Sequence, residues 1–177
     1  MRIKMLKMTF FSSLDQFQKT KSFSTARNHL ETTLTNFGPF FKIEMMLKLK
    51  SFPNPEEHSG WANIFVIGNG EPKFSVKGAR YPSMFLQEKK YFHFSTFTNA
   101  YHSVDTLHNL QESNTYHIII EQKLIDCKWT FRIFVDSIMI DSTENTEPMV
   151  LDEAKLYLSA PWNPTANVEI THLKIEY

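Results

Sequence analysis

Five residues carry the binding chemistry this sequence offers: Trp61, Asn63, Arg80, His93 and Tyr101. The indole and phenol have flat apolar faces, while the guanidinium, carboxamide and imidazole are planar hydrogen-bonding groups. Together they suit the apolar face of a sugar ring and the hydroxyls around its rim. Each also has a structural reading. Trp61 fits a core position, and Arg80, close to Gly78, fits a cap on loop carbonyls or an ion pair with a nearby acid.

No catalytic or metal-binding pattern accompanies the five. The histidines, His29, His58, His93, His102, His108, His117 and His172, show neither an HExxH motif nor a Cys/His spacing that would surround zinc. No acidic run matches a calcium loop, and no G-x-S-x-G elbow presents a serine. Gly68-Asn69-Gly70 lacks the third glycine and the lysine of a phosphate loop and reads as a hairpin turn. The expectation is a protein with no catalytic residue, no metal and no cofactor.

The elements that must position these residues are strands. From Phe40 the pattern has a period of two: Phe41, Ile43, Met45, Leu47 and Leu49 point one way, and Lys42, Glu44, Lys48 and Lys50 the other. A helix would spread those lysines over every side. Pro53 and Pro55 end the strand because neither has an N–H for the ladder. A second strand is expected from Gly60 to Gly68, with Trp61, Asn63, Phe65 and Ile67 on one face and Ile64 and Val66 on the other. Short strands follow at Phe74 to Val76, Ser83 to Gln87, Tyr91 to Thr96 and Ala100 to Val104.

In the C-terminal half, Tyr116 to Glu121 and Trp129 to Val135 alternate. Asp136-Ser137 then turns the chain into Ile138-Met139-Ile140, a hairpin. Asp141 to Glu147 reads as an acidic surface loop. Lys155 to Ser159 and Val168 to Tyr177 are the last strands, the latter changing phase at a bulge near Thr171-His172. Short strands without amphipathic helices between them indicate an all-β sandwich or barrel and exclude a parallel α/β fold.

A chain of 177 residues is the size of one domain. Sixteen Phe, six Tyr and three Trp suit half-buried pleated surfaces. Nineteen basic residues balance nineteen acidic ones, so the long-range field that draws a protein to nucleic acid is missing. No stretch approaches the roughly twenty apolar residues of a transmembrane helix. Lys7 interrupts what would be the apolar part of an N-terminal export signal. Residues 1–24 are basic and lack clean alternation, and are expected to be a poorly ordered or peripheral lead-in to a domain spanning 25–177. Cys127, between polar and aromatic neighbours, reads as a small buried hydrophobe.

The ending Lys155 to Ile175, with its Ala160-Pro161-Trp162-Asn163-Pro164 turn, resembles the close of certain animal extracellular modules, in which a V-x-Y-x-S strand precedes D-P-W and a final I-x-N-L strand. Gly60-Trp61-Ala62-Asn63-Ile64 and Gly78-Ala79-Arg80-Tyr81-Pro82 are similar to their G-W-x-N-[IV] and G-x-R-x-P segments, in the same order. The hairpin from Phe131 to Ile140 is similar to their Y-x-I-x-V-[ND]-G-x-x-[IV] pair. The resemblance covers residues 26–177. It implies a concanavalin A-like, laminin-G-like jelly roll: a two-sheet antiparallel sandwich that works outside the cell in adhesion.

Three positions depart from that pattern: Ala160 replaces Asp, His172 replaces Asn and Ser137 replaces Gly. The superfamily also contains glycoside hydrolases, but their E-x-D-x-E pairing is absent, as is the H-x-N-P-R cluster of galectins. The resemblance therefore implies a non-catalytic, lectin-like module whose partner is a glycan. A protein-interaction or structural module whose sheet face is filled by its own side chains is the alternative, with an extracellular protein as partner. A diverged hydrolase is a third reading, without the paired carboxylates that hydrolysis needs.

Overall fold

In the computed structural model, residues 15–26, 28–56, 60–73, 75–98, 100–106, 109–160 and 162–177 are described. They form thirteen strands: β1 (Gln16–Lys19), β2 (Phe23–Ser24), β3 (Leu30–Phe37), β4 (Phe41–Ser51), β5 (Trp61–Gly68), β6 (Ser83–Gln87), β7 (Tyr91–Phe97), β8 (Tyr101–Asp105), β9 (Thr115–Ile125), β10 (Lys128–Val135), β11 (Ile138–Glu144), β12 (Leu151–Tyr157) and β13 (Asn167–Glu176). One sheet runs β1-β13-β4-β9-β10-β11, with β2 also on β13. The other runs β3-β12-β5-β6-β7-β8. All the strand pairings are antiparallel. The fold is the expected all-β jelly-roll sandwich.

Its core lies between the sheets. Phe41, Ile43, Met45, Leu47 and Leu49 of β4 all face it, as the two-residue period requires, and meet Ile64, Met84, Phe92 and Phe94 in one buried cluster. Phe37, Phe41 and Tyr81 pack at one end. There the Tyr81 hydroxyl accepts a hydrogen bond from Gln122 Nε2 at 2.6 Å, and Gln122 Oε1 accepts one from Asn145 Nδ2 at 2.8 Å. These polar groups are buried with their partners.

Several elements differ from the sequence reading for identifiable reasons. The register of β5 against β6 shifts between Asn63 and Phe65. Ala62, Ile64, Phe65 and Ile67 therefore all reach the core, and Phe65 and Ile67 do not share a face with Trp61 and Asn63. β3 was not expected: its buried Leu34 and Phe37 stand three apart, with Asn36 at φ 54° between them, so no clean alternation marks it. Among the described residues of the expected 74–76 segment there is no strand. Phe74 lies outside the described residues, and Ser75 and Val76 sit in the turn-rich connection between β5 and β6. The acidic stretch after Ile140 is not all loop, because β11 stays paired with β10 as far as Thr130 opposite Glu144.

Cys127 is exposed. It sits with Asp126 in the two-residue turn between Ile125 and Lys128, both at positive φ (48° and 63°), where no side chain can turn inward. The expected hairpin turn Asp136-Ser137 is built the same way (φ 49° and 68°), and the expected bulge in β13 lies between Thr171 and Lys174, with His172 at φ 53°. Of the lead-in, residues 1–14 lie outside the described residues. Residues 16–19 and 23–24 are the short strands on the outer side of β13.

Candidate functional site

Four of the five sequence candidates converge on the outer face of β5–β8. Trp61, Arg80, His93 and Tyr101, joined by Phe85 and Asn163, line a cavity of about 340 Å³. Cross-strand pairing explains the convergence. The register places Phe85 opposite both Asn63 and His93, and His93 opposite Asp105, so alternate residues of adjacent strands share this face.

Trp61 meets the ring of His93 edge-on at 4.9 Å and 84°. It also meets Phe85 at 6.4 Å and Tyr91 at 6.2 Å. It is half-buried on the outer face and does not fill the core between the sheets. His93 is fixed in turn by a 2.6 Å bond between its Nδ1 and Asp105 Oδ1.

Arg80 enters from the β5–β6 connection. Gly78, at φ +83°, turns the chain, and Tyr81 then points into the core while Arg80 points out. The guanidinium carbon lies 4.7 Å from the centroid of Phe85, and Nη1 donates to Ser95 Oγ at 3.4 Å. Burial pushes the guanidinium pKa down, opposed by the charge and hydrogen bond of the Tyr101 hydroxyl. Among its neighbours in the described residues are the hydroxyls of Ser95 and Tyr101 and the ring of Phe85.

Asn63 does not reach the cavity. It has no exposed surface. Its Nδ2 donates to the carbonyls of Phe65 and Met84, each at 3.2 Å, and its Oδ1 accepts the Ala160 N–H at 2.7 Å. Its backbone accepts from Ala166 and donates to Pro164, adding a parallel bridge to Thr165. Asn63 is the bracket that holds the β12–β13 loop against β5, and that loop brings Asn163 to the cavity.

Sequence reasoning missed Phe85 and Asn163. Phe85 was recoverable, since it stands two residues from both Ser83 and Gln87 in a strand whose bounds were read correctly. Asn163 was not, because only the fold brings its loop alongside β5. Its Nδ2 is buried without a hydrogen-bond partner, an orphan donor beside the cavity. Trp162 packs on Tyr157 at 5.7 Å and lies off the cavity.

Among the described residues, no group of three or more His, Cys, Asp or Glu side chains could hold a metal ion. His29, His93, His102 and His117 each meet one carboxylate instead. No helix among the described residues is long and apolar enough to cross a membrane.

No protein-family model matches the sequence, and no curated protein matches it. Solved structures do. The Ruminococcus gnavus IT-sialidase CBM40 bound to α2,3 sialyllactose superposes with a TM-score of 0.55 at 7% identity, covering 90% of this chain and 89% of that one. The chain shares its jelly-roll sandwich fold with that structure. Domain 4 of AbnA, a GH43 extracellular arabinanase from Geobacillus stearothermophilus, in complex with arabinotriose, gives 0.53 at 11% identity over 81% of this chain and 62% of that one. Trypanosoma rangeli sialidase in complex with the inhibitor DANA gives 0.55 at 14% identity over 77% of this chain, which spans a fifth (20%) of that structure. At these identities the likeness is one of fold.

Proposed function

We propose that this chain is a non-catalytic, lectin-like recognition module that holds a glycan in the groove of Trp61, Phe85, His93 and Tyr101. The observation that carries the reading is the convergence, from four strands and two loops, of an aromatic surface ringed by planar hydrogen-bonding groups. A sugar needs both at once: an apolar plane for its C–H face and fixed polar groups for its hydroxyls. Two structural neighbours with sugars bound, one with α2,3 sialyllactose and one with arabinotriose, support it. The affinity with animal laminin-G-like modules and the extracellular, adhesive setting rest on the motif order in the sequence.

A glycan array probed with wild-type protein and with Trp61→Ala tests the reading. Losing the stacking surface should weaken binding about tenfold or more. Binding to no glycan, or binding that Trp61→Ala leaves unchanged, overturns it. One observation favours a second reading, a protein-interaction module: Ile138 and Met139 are 67% and 54% exposed at the start of β11, the edge strand of its sheet.

A further inference from the structure

We infer that the groove selects acidic saccharides, with Arg80 and Asn163 receiving a carboxylate or sulfate while the uncharged part of the ring lies against the aromatic residues. This deepens the glycan reading and rests on it.

The described residues that line the groove include a guanidinium and no carboxylate. Arg80 is held within it by the Phe85 ring, the Ser95 hydroxyl and the Tyr101 hydroxyl. Its burial disfavours its charge, so an arriving anion would gain from pairing with a cation that has already lost part of its water. Asn163 Nδ2, buried and without a partner, is a second donor that an anion's oxygen would satisfy.

Asp105, which stands opposite the lining residue His93 across β7 and β8, does not cancel this field. It is engaged by His93 and sits at the opposite end of β8 from Tyr101, roughly 13 Å away along an extended strand. The groove is therefore polarised, with a cationic, donor-rich end at Arg80 and Tyr101 and the His93–Asp105 pair at the other. A guanidinium can meet either a planar carboxylate or a tetrahedral sulfate with two parallel N–H bonds.

The test is an array carrying matched glycans in neutral, carboxylated (sialylated or glucuronylated) and sulfated forms, read with wild type, Arg80→Gln and Arg80→Lys, each checked by thermal melting. Wild type should bind the acidic form at least about tenfold more tightly than its neutral parent, the range expected of a charge-assisted hydrogen bond. Arg80→Gln should lose that preference while still binding the neutral form, and Arg80→Lys should keep part of it. The ratio of carboxylated to sulfated binding tells the two anions apart. Equal binding of neutral and acidic forms, or a preference that survives in Arg80→Gln, overturns the inference and leaves the glycan reading standing. Binding to no glycan overturns both. Should Arg80→Gln fail to fold, an undiminished preference in Asn163→Ala together with none lost in Arg80→Lys overturns it.

Discussion

Replacing Asn63 with Ala separates a bracket from a ligand contact. The substitution strips three hydrogen bonds from a side chain with no exposure, leaving the Phe65 and Met84 carbonyls without its donor and the Ala160 N–H without its acceptor. Each partner orphaned in a buried site costs about 1–3 kcal/mol, so the loss should be about 3 kcal/mol or more. For a chain of 177 residues the midpoint moves about 2–4 °C per kcal/mol, which gives a drop of about 6–12 °C. Scanning calorimetry reads the drop, and urea unfolding should show a lower midpoint at unchanged slope. If Asn63→Ala melts with wild type, or keeps its stability while losing ligand, the bracket assignment is wrong and Asn63 belongs to the groove.

Three further outcomes follow from the same structure. A Cβ on Gly68 would come 2.7 Å from the Gly78 carbonyl oxygen, so Gly68→Ala should cost about 1–3 kcal/mol in urea unfolding and weaken ligand binding by displacing the segment that carries Arg80. Cys127 and Ser137 occupy positive-φ turn positions at 63° and 68°, so Cys127→Gly and Ser137→Gly should each stabilise by about 0.5–1 kcal/mol. The exposed Cys127 thiol should also react with a thiol reagent in native protein. Hydrogen bonding from Lys42, opposed by burial and aided by His117, holds the Glu44 pKa below its ordinary 4.5. Its contribution is therefore fully present above that value and lost as pH falls through the lowered one, so the melting temperatures of wild type and Glu44→Gln should converge as the pH is taken below the lowered value.

Much of the architecture is legible because one physical rule dominates it. Where a strand has one wet and one buried face, as β4 does, side chains alternate and the core residues can be read off directly. The bulge in β13 was visible for the same reason, as a break in that alternation. The rule fails where backbone geometry overrides it. Asn36 at positive φ hides β3, the register shift after Asn63 reverses half of β5, and a two-residue turn exposes Cys127. Four groove residues were legible as chemistry because aromatic and planar polar groups are rare enough to notice. Asn63 looked the same in sequence and differs only in where its carboxamide points. Asn163 depends on a loop closing 100 residues downstream of the strand it touches, a contact no local pattern carries.

The most direct test of the central claim is an NMR titration that follows the indole N–H signals of the three tryptophans as the strongest glycan from the array is added. The Trp61 signal should shift saturably while those of Trp129, on the opposite sheet, and Trp162, against Tyr157, stay in place. A Trp61 signal that does not move while Trp129 or Trp162 does would contradict the account.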